Sequence, residues 1–285
     1  MSDFFSALAT QSFLQNAVVI ALLASFACGV IGSFVVVKRI SFIGGGIAHT
    51  VLAGLGIASF LGANVIAGAL VAAVAAACII GLISLYAREH EDTLISALWA
   101  VGMAIGIIFI RKTPGYATDL FSYLFGNILL ATAGNVIQLL LLDALVAIFV
   151  FAFYKRFVAV CFDEEFTRLQ GVRVPLWYLL LLCLTALTVV ILVQVVGIIL
   201  VIALLTLPPA IAGQWTQTLG RMMVVACIAT AVFTLLGLSF SYSYNLPGGA
   251  VIVLTAAVSF LLSLAVRRFG KFVARLQHTD RKSVV

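Results

Sequence analysis

The chain has 285 residues, of which 64% are hydrophobic and only 9% are charged, and its formal net charge is +6. This composition excludes a water-soluble globular domain, because too few polar side chains are available to cover the surface. The sequence therefore predicts a polytopic membrane protein in which residues 1–285 form one transmembrane domain, without a second, soluble domain.

Nine apolar runs have about the 20 residues that a helix needs to cross a bilayer core of about 30 Å. The predicted spans are 12–37, 43–61, 64–87, 93–111, 134–155, 174–194, 197–213, 221–240 and 247–267. The runs are continuous and do not alternate, which excludes a β-barrel and predicts an all-α helical bundle. An eight-helix alternative stays open, since "LVQVVG" alone separates the sixth run from the seventh.

One further apolar segment, "DLFSYLFGNILLA" at 119–131, is too short to span the membrane. It is also too apolar for a solvated loop. We predict a re-entrant or interfacial segment, because such backbone is tolerated at membrane depth only when protein or a cavity surrounds it.

The basic residues predict the orientation. If the N-terminus is outside, two of the 16 Lys and Arg residues, Arg111 and Lys112, lie outside, and the other fourteen lie inside. The positive-inside rule therefore predicts a cytoplasmic C-terminus, with a tail at about 268–285. These charges are scattered and not interleaved with aromatic residues, so they do not indicate nucleic-acid binding.

Four polar residues fall in apolar segments, where each needs a partner or a water-filled cavity. They are His49, Asp119, Asn127 and Asp143. The His49 imidazole is competent as a transition-metal ligand or proton acceptor, although a packing histidine bonded to a backbone carbonyl is the alternative. The glycines at 44–46 favour close helix approach or an unwound helix start.

The two aspartates have different alternatives. Asp119 is either a helix N-cap or a carboxylate at the outer mouth of a pathway. With His49 or Asn127 it would offer the mixed nitrogen and oxygen ligands suited to Mn(II), Fe(II) or Zn(II). Asp143 lies in the middle of the fifth run, and we predict that it faces the bundle interior, as a partner of another polar group or as pathway lining.

A cytoplasmic loop at about 156–173 contains "CFDEEFTRLQGVRV". Its acidic start and Gly171 predict the two ends of a short helix. Phe162, Phe166 and Leu169 then share one face, as in an amphipathic docking helix of about two turns. The residues assigned to docking are Asp163, Glu164, Glu165, Phe166, Arg168 and Gly171.

Six segments together resemble the permease subunit of bacterial ATP-binding-cassette importers for zinc, manganese or iron. They follow the family order over nearly the whole chain and read "VVVKRISFIGGGIAHTVLAGLGIASFLG", "EDTLISALWAVGMAIGIIF", "TDLFSYLFGNIL", "FDEEFTRLQGV", "GIILVIALLTLPPAIA" and "LPGGAVIVL".

The resemblance implies a homodimeric permease in the bacterial inner membrane, with an ATPase subunit on the cytoplasmic side and an extracytoplasmic metal-binding protein above. It implies alternating access driven by ATP on the partner, transport of a divalent metal ion and no permanently bound cofactor. The helix at Asp163 to Gly171 is similar to the family's coupling helix, and His49 and Asp119 match its metal-pathway positions. Where many members read Asp-Ala-Leu-Ser-His, this chain has Gly45, Gly46, Ile47, Ala48 and His49.

The chain has no GxxxxGK[ST] loop, so it is predicted not to hydrolyse ATP itself. Two other transport functions stay open. One is a permease for metal chelates or cobalamin, although the chain has few polar groups for a wide vestibule. The other is a proton-coupled secondary transporter in which His49 and Asp143 form a relay, although no inverted repeat is found.

Overall fold

The apolar runs form helices throughout the described part of the chain. The computed structural model describes residues 10–86, 91–113, 126 and 128–282. Within them, nine helices are long and apolar enough to cross a membrane. These are α1 (Ser12–Val37), α2 (Ser41–Phe60), α3 (Val65–Tyr86), α4 (Glu91–Lys112), α5 (Ala133–Phe162), α7 (Val174–Val196), α8 (Ile198–Trp215), α9 (Leu219–Tyr244) and α10 (Gly248–Lys282), with a short α6 (Glu164–Leu169) between α5 and α7. The predicted all-α fold with nine spans is confirmed.

The junction between α7 and α8 decides between nine helices and eight. Gly197 alone separates the two helices, with φ 84° and ψ 159°. This backbone conformation is essentially restricted to glycine, because any Cβ would clash with the neighbouring peptide groups. "LVQVVG" is therefore not a loop: Gln194 belongs to α7, and one glycine makes the turn.

Helix α5 extends further than the sequence predicted. It was expected to end at residue 155, and the coupling loop to begin at 156. Helical residues instead continue to Phe162, after a kink at Phe153, whose φ of −120° and ψ of 17° are not helical. The charge of Arg156 does not end it, because the guanidinium lies 4.8 Å from the ring centroid of Trp177. Such a long side chain covers apolar surface while its head remains at the polar boundary. Similarly, α10 continues to Lys282 and includes most of the predicted tail.

Polar contacts join several segments at one end of the bundle, which we call the basic end. Lys38, just after α1, forms an ion pair with Glu164 of α6. The Tyr178 hydroxyl, near the start of α7, donates to Ser84 Oγ near the end of α3, over 2.9 Å. Alternate crossing by successive helices predicts that these segments meet at the same end, and the contacts agree.

The opposite end is packed through apolar side chains. Leu14 of α1 is fully buried and contacts Leu129 and Tyr242. Leu129 lies in a short 3₁₀ helix at Ile128–Leu130, which completes the predicted segment 119–131. Residues 119–125 and 127 lie outside the described residues, so the re-entrant or interfacial interpretation of that segment stays a prediction.

Gly126 fixes the position of the described end of this segment. Its φ of 62° is a left-handed conformation that suits glycine. A Cβ there would collide with the backbone of Val196 and Gly197. The chain at residue 126 is therefore seated directly against the turn between α7 and α8.

Helix α2 is held between α3 and α4 by close backbone contacts. A Cβ on Gly102 of α4 would lie 2.8 Å from the Thr50 Cα, and a Cβ on Gly56 would lie 2.5 Å from the Gly106 carbonyl oxygen. On the other side, Gly54 meets Gly68 of α3 at similarly short range. Glycine permits this approach because no side chain separates the helices, as is common in membrane bundles.

Candidate metal pathway

His49 lies on α2, eight residues from its first residue, which is about 12 Å along the helix at 1.5 Å per residue. The residue is buried, at 9% exposure. Its imidazole stacks on the indole of Trp99 from α4, with ring centroids 4.2 Å apart and planes inclined by 12°. The close contact between α2 and α4 therefore brings an aromatic face against the histidine.

The His49 Nδ1 atom is buried and has no hydrogen-bond partner in the part of the chain that the structure describes. Buried polar atoms are normally paired, so an orphaned ring nitrogen indicates a missing partner. The alternative was a histidine bonded to a backbone carbonyl, and among the described residues Nδ1 makes no such bond. A neutral imidazole nitrogen can accept a proton or ligate a transition metal.

The three glycines before His49 do not unwind the helix. Residues 44–46 are helical and buried, which excludes the predicted unwound start. The predicted close approach is confirmed at Gly46, where a Cβ would lie 2.8 Å from Ile95 Cγ2 of α4. A Cβ on Gly44 would meet nothing within 4 Å, and one on Gly45 would meet only Ile202 Cδ1, at 3.9 Å.

Asp143 lies on α5 and is 7% exposed, which confirms that it faces the bundle interior. Neither carboxylate oxygen has a hydrogen-bond partner among the described residues. The carboxylate lies within electrostatic range of the thiols of Cys28 and Cys227. Cys28 lies on α1 and Cys227 on α9. These two helices cross closely, since a Cβ on Gly29 of α1 would lie 2.6 Å from the Cys227 nitrogen of α9.

The structure does not bring His49 and Asp143 into one cluster. Helix α2 packs mainly against α3, α4, α7 and α8, whereas α5 packs mainly against α1 and α7. Among the described residues, no group of three or more His, Cys, Asp and Glu side chains is arranged to hold a metal ion. Asp119 and Asn127 lie outside the described residues, so their predicted part in the pathway is not tested.

The segment predicted to be a coupling helix forms a short helix at the basic end, and its coupling role stays a prediction. The Asp163 carboxylate caps α6 by accepting a hydrogen bond from the Phe166 N–H at 2.9 Å. Glu164 and Glu165 occupy the first turn and Arg168 the last, which matches the helix dipole. Gly171 follows with φ 77°, a value that favours glycine after a helix end.

The apolar face of this segment is open. Phe162, Phe166 and Leu169 are 65%, 57% and 86% exposed. Phe162 is the last residue of α5 and not part of α6, so α6 has six residues, or about 1.7 turns, close to the two turns predicted. On the inner side, Thr167 is fully buried and anchors α6 to the bundle. An anchored helix with exposed aromatic and aliphatic side chains can bind a partner.

Three residues near these sites were not identified from the sequence. Trp99 was treated only as part of the fourth apolar run, and its stacking depends on the register of α2 against α4. Lys38 was counted only as a topology charge. Gln194, whose Nε2 is buried without a partner in the described part of the chain, was assigned to a turn. Gln194 could have been identified from the sequence, because it is a polar residue within an apolar run.

Comparison with known proteins gives the family. Residues 10–267 match the profile of the ABC 3 transport family. A probable metal transport system membrane protein from Chlamydia trachomatis is 41% identical over 86% of each chain. The manganese transport system membrane protein MntC from Listeria monocytogenes is 38% identical over 91% of this chain and 92% of its own.

A solved structure agrees with the sequence matches. The structure of PsaBC from Streptococcus pneumoniae in complex with Fab superimposes with a TM-score of 0.83 at 34% identity, covering 92% of this chain and 94% of that one. The match extends over nearly all the helices described above, and the sequence match covers the same region. The chain therefore belongs to the ABC 3 transport family, as the membrane permease of an ATP-binding-cassette transport system.

Proposed function

We propose that this permease imports a divalent transition metal ion, and that manganese is the first ion to test. The observation that carries the proposal is similarity over almost the whole chain to proteins named for metal and manganese transport. The similarity covers the α2 segment with His49 and the α6 segment together, so it concerns the transport machinery and not an isolated helix.

His49 supplies the chemical support for a metal substrate. Its Nδ1 is buried and unpaired within the described residues, and imidazole nitrogen suits first-row transition metals. In the described arrangement Trp99 covers one face of the ring. The Nδ1 lone pair lies in the plane of the ring, so stacking on one face does not block it, and we expect the ion to approach along that plane.

The partners follow from the two ends of the bundle. The exposed face of α6 would seat a cytoplasmic ATPase subunit, which binds and hydrolyses ATP for the transporter. An extracytoplasmic metal-binding protein would deliver the ion at the opposite end, and a second permease would complete a homodimer. The permease itself would hold no permanent cofactor, since the metal ion passes through as substrate.

The basic end would face the cytoplasm of a bacterium, with the N-terminus outside the cytoplasmic membrane. Lys38, Arg156, Arg168 and Arg173 lie at this end of the bundle, together with Glu164. Their positive excess agrees with the positive-inside rule.

Uptake by proteoliposomes tests this function directly. Vesicles would contain the permease with its ATPase subunit, be loaded with ATP, and receive the metal-binding protein and radioactive Mn²⁺ outside. We expect Mn²⁺ accumulation that requires both ATP and the binding protein. Accumulation driven by a proton gradient without ATP would support the secondary-transporter alternative, and accumulation of metal chelates without free Mn²⁺ would support the chelate permease.

A further inference from the structure

Lys38 connects four elements at the basic end. Its Nζ donates to Glu164 Oε1 of α6 and, over 3.1 Å, to the Val160 carbonyl oxygen near the end of α5. The same Nζ lies 5.7 Å from the ring centroid of Tyr178 on α7. One side chain that follows α1 thus contacts the coupling helix and the two helices on either side of it.

The Lys38–Glu164 ion pair is largely shielded from solvent. The Lys38 side chain is 15% exposed and the Glu164 side chain 22%. The pair borders a cavity of about 410 Å³ between the α1–α2 turn, α3, α6 and α7. A pair in this position is less screened by salt than a fully exposed pair, and loss of one partner leaves the other charge poorly solvated.

The short turn that contains Lys38 links this ion pair to the start of α2. Only residues 38–40 separate α1 from α2, and Arg39 within them has φ 62°. A left-handed conformation is costly for a non-glycine residue and persists only where neighbouring contacts determine it. Displacement of Lys38 therefore changes the start of α2, the rigid helix that carries His49.

We propose that Lys38 is a positioning residue that transmits movement of α6, through its ion pair with Glu164, to the α1–α2 turn and the start of α2. The inference rests on the proposed function in one respect, namely that α6 is the surface on which the ATPase subunit acts. It adds a specific connection between that surface and the helix of the metal pathway.

Hydrogen exchange on the purified permease in lipid nanodiscs tests the connection without any transport measurement. Glu164→Gln should increase amide exchange at residues 38–44, about 120 positions away in sequence. Glu165→Gln removes the neighbouring first-turn charge of α6 and serves as the matched control, with no change expected at residues 38–44. Equal exchange in both variants at these residues would overturn the proposal, whether or not the protein transports metal.

The complete importer then tests whether the connection is used. Lys38→Gln should retain ATP hydrolysis but reduce Mn²⁺ uptake per ATP by about fivefold or more, which is the lower range of coupling between sites. Arg221→Gln removes an exposed charge near the start of α9, outside the proposed connection, and should keep the wild-type ratio. An unchanged ratio in Lys38→Gln would contradict the proposal.

Two rescue variants separate positioning from folding. Lys38→Arg should restore most of the ratio, and Lys38→Glu combined with Glu164→Lys should restore part of it, because an ion pair can form again. If both fold and neither exceeds Lys38→Gln, the ion pair is not the link. If the wild-type importer moves no metal, the proposed function fails, while the hydrogen-exchange result still decides the connection.

Discussion

The contact between α2 and α4 and the contact among α1, α5 and α9 each bury an ionisable side chain, but they do so differently. At the first contact, the His49 ring has an aromatic partner, Trp99, and its helix is held through glycines. At the second, the Asp143 oxygens have no hydrogen-bond partner among the described residues, and the carboxylate lies within electrostatic range of two thiols. The comparison suggests that His49 is held in place by packing, whereas Asp143 is kept at a cost to stability.

The largest expected effect comes from breaking the glycine contact on the histidine side. A Cβ on Gly106 would lie 2.5 Å from the Leu52 carbonyl oxygen, a backbone atom that cannot turn away. Gly106→Leu should destabilise the protein by about 3 kcal/mol, the upper end of the usual cost of overpacking, and reduce the monodisperse peak in size-exclusion chromatography. Gly44→Ala, at a position with no atom within 4 Å, should leave the elution profile unchanged.

The next effect concerns the chemistry of His49. His49→Ala should lower Mn²⁺ uptake by about 10–100-fold while the protein still folds, because the glycine contacts that position α2 remain. Thr188→Val is the control, since it also removes a buried polar group, one that bonds to its own helix at Leu184. Normal uptake by His49→Ala would remove this residue from the pathway.

On the Asp143 side, the predicted change in stability has the opposite sign. Asp143→Val replaces a carboxylate that has no partner among the described residues with an apolar side chain of similar size, and should raise the free energy of unfolding by about 1–2 kcal/mol. Thermal unfolding in detergent measures this gain. A loss of stability would show that the carboxylate is paired in the intact protein, and unchanged uptake would exclude Asp143 from the pathway.

The smallest expected effect concerns the stacking of the His49 and Trp99 rings. A double-mutant cycle of His49→Leu and Trp99→Leu should give a coupling free energy of about 0.5–1.5 kcal/mol. The more distant Phe42–Trp99 pair, with ring centroids 6.1 Å apart, should give less in the same assay. Similar values for both pairs would mean that Trp99 supports the fold generally and not His49 in particular.

The fold was largely predictable because the bilayer imposes a helix length that the sequence shows directly. The errors lie where a charged or polar residue was taken for a helix end. The predicted span ended at residue 155, close to the kink at Phe153, but the chain becomes helical again up to Phe162, and the Arg156 guanidinium packs over the Trp177 ring. Gln194 was taken for part of a turn, but Gly197 alone separates α7 from α8.

The candidate site was predictable only in part. His49 and Asp143 were found because polar groups at membrane depth are costly, and α6 because its charges fit a helix dipole. The contacts of these residues were not predictable, since Trp99 meets His49 only through the helix register. The Lys38–Glu164 pair joins residues 126 positions apart, and no periodicity in the sequence connects them.

The indole that covers His49 also gives this protein an optical property. Indole emission is sensitive to its immediate surroundings, and a paramagnetic ion such as Mn²⁺ quenches a fluorophore at contact distance. With the rings 4.2 Å apart, arrival of the ion at the imidazole would dim Trp99. The chain has three tryptophans, so the difference between wild type and Trp99→Phe isolates this signal. If the ion passes His49 as proposed, Trp99 would report its passage.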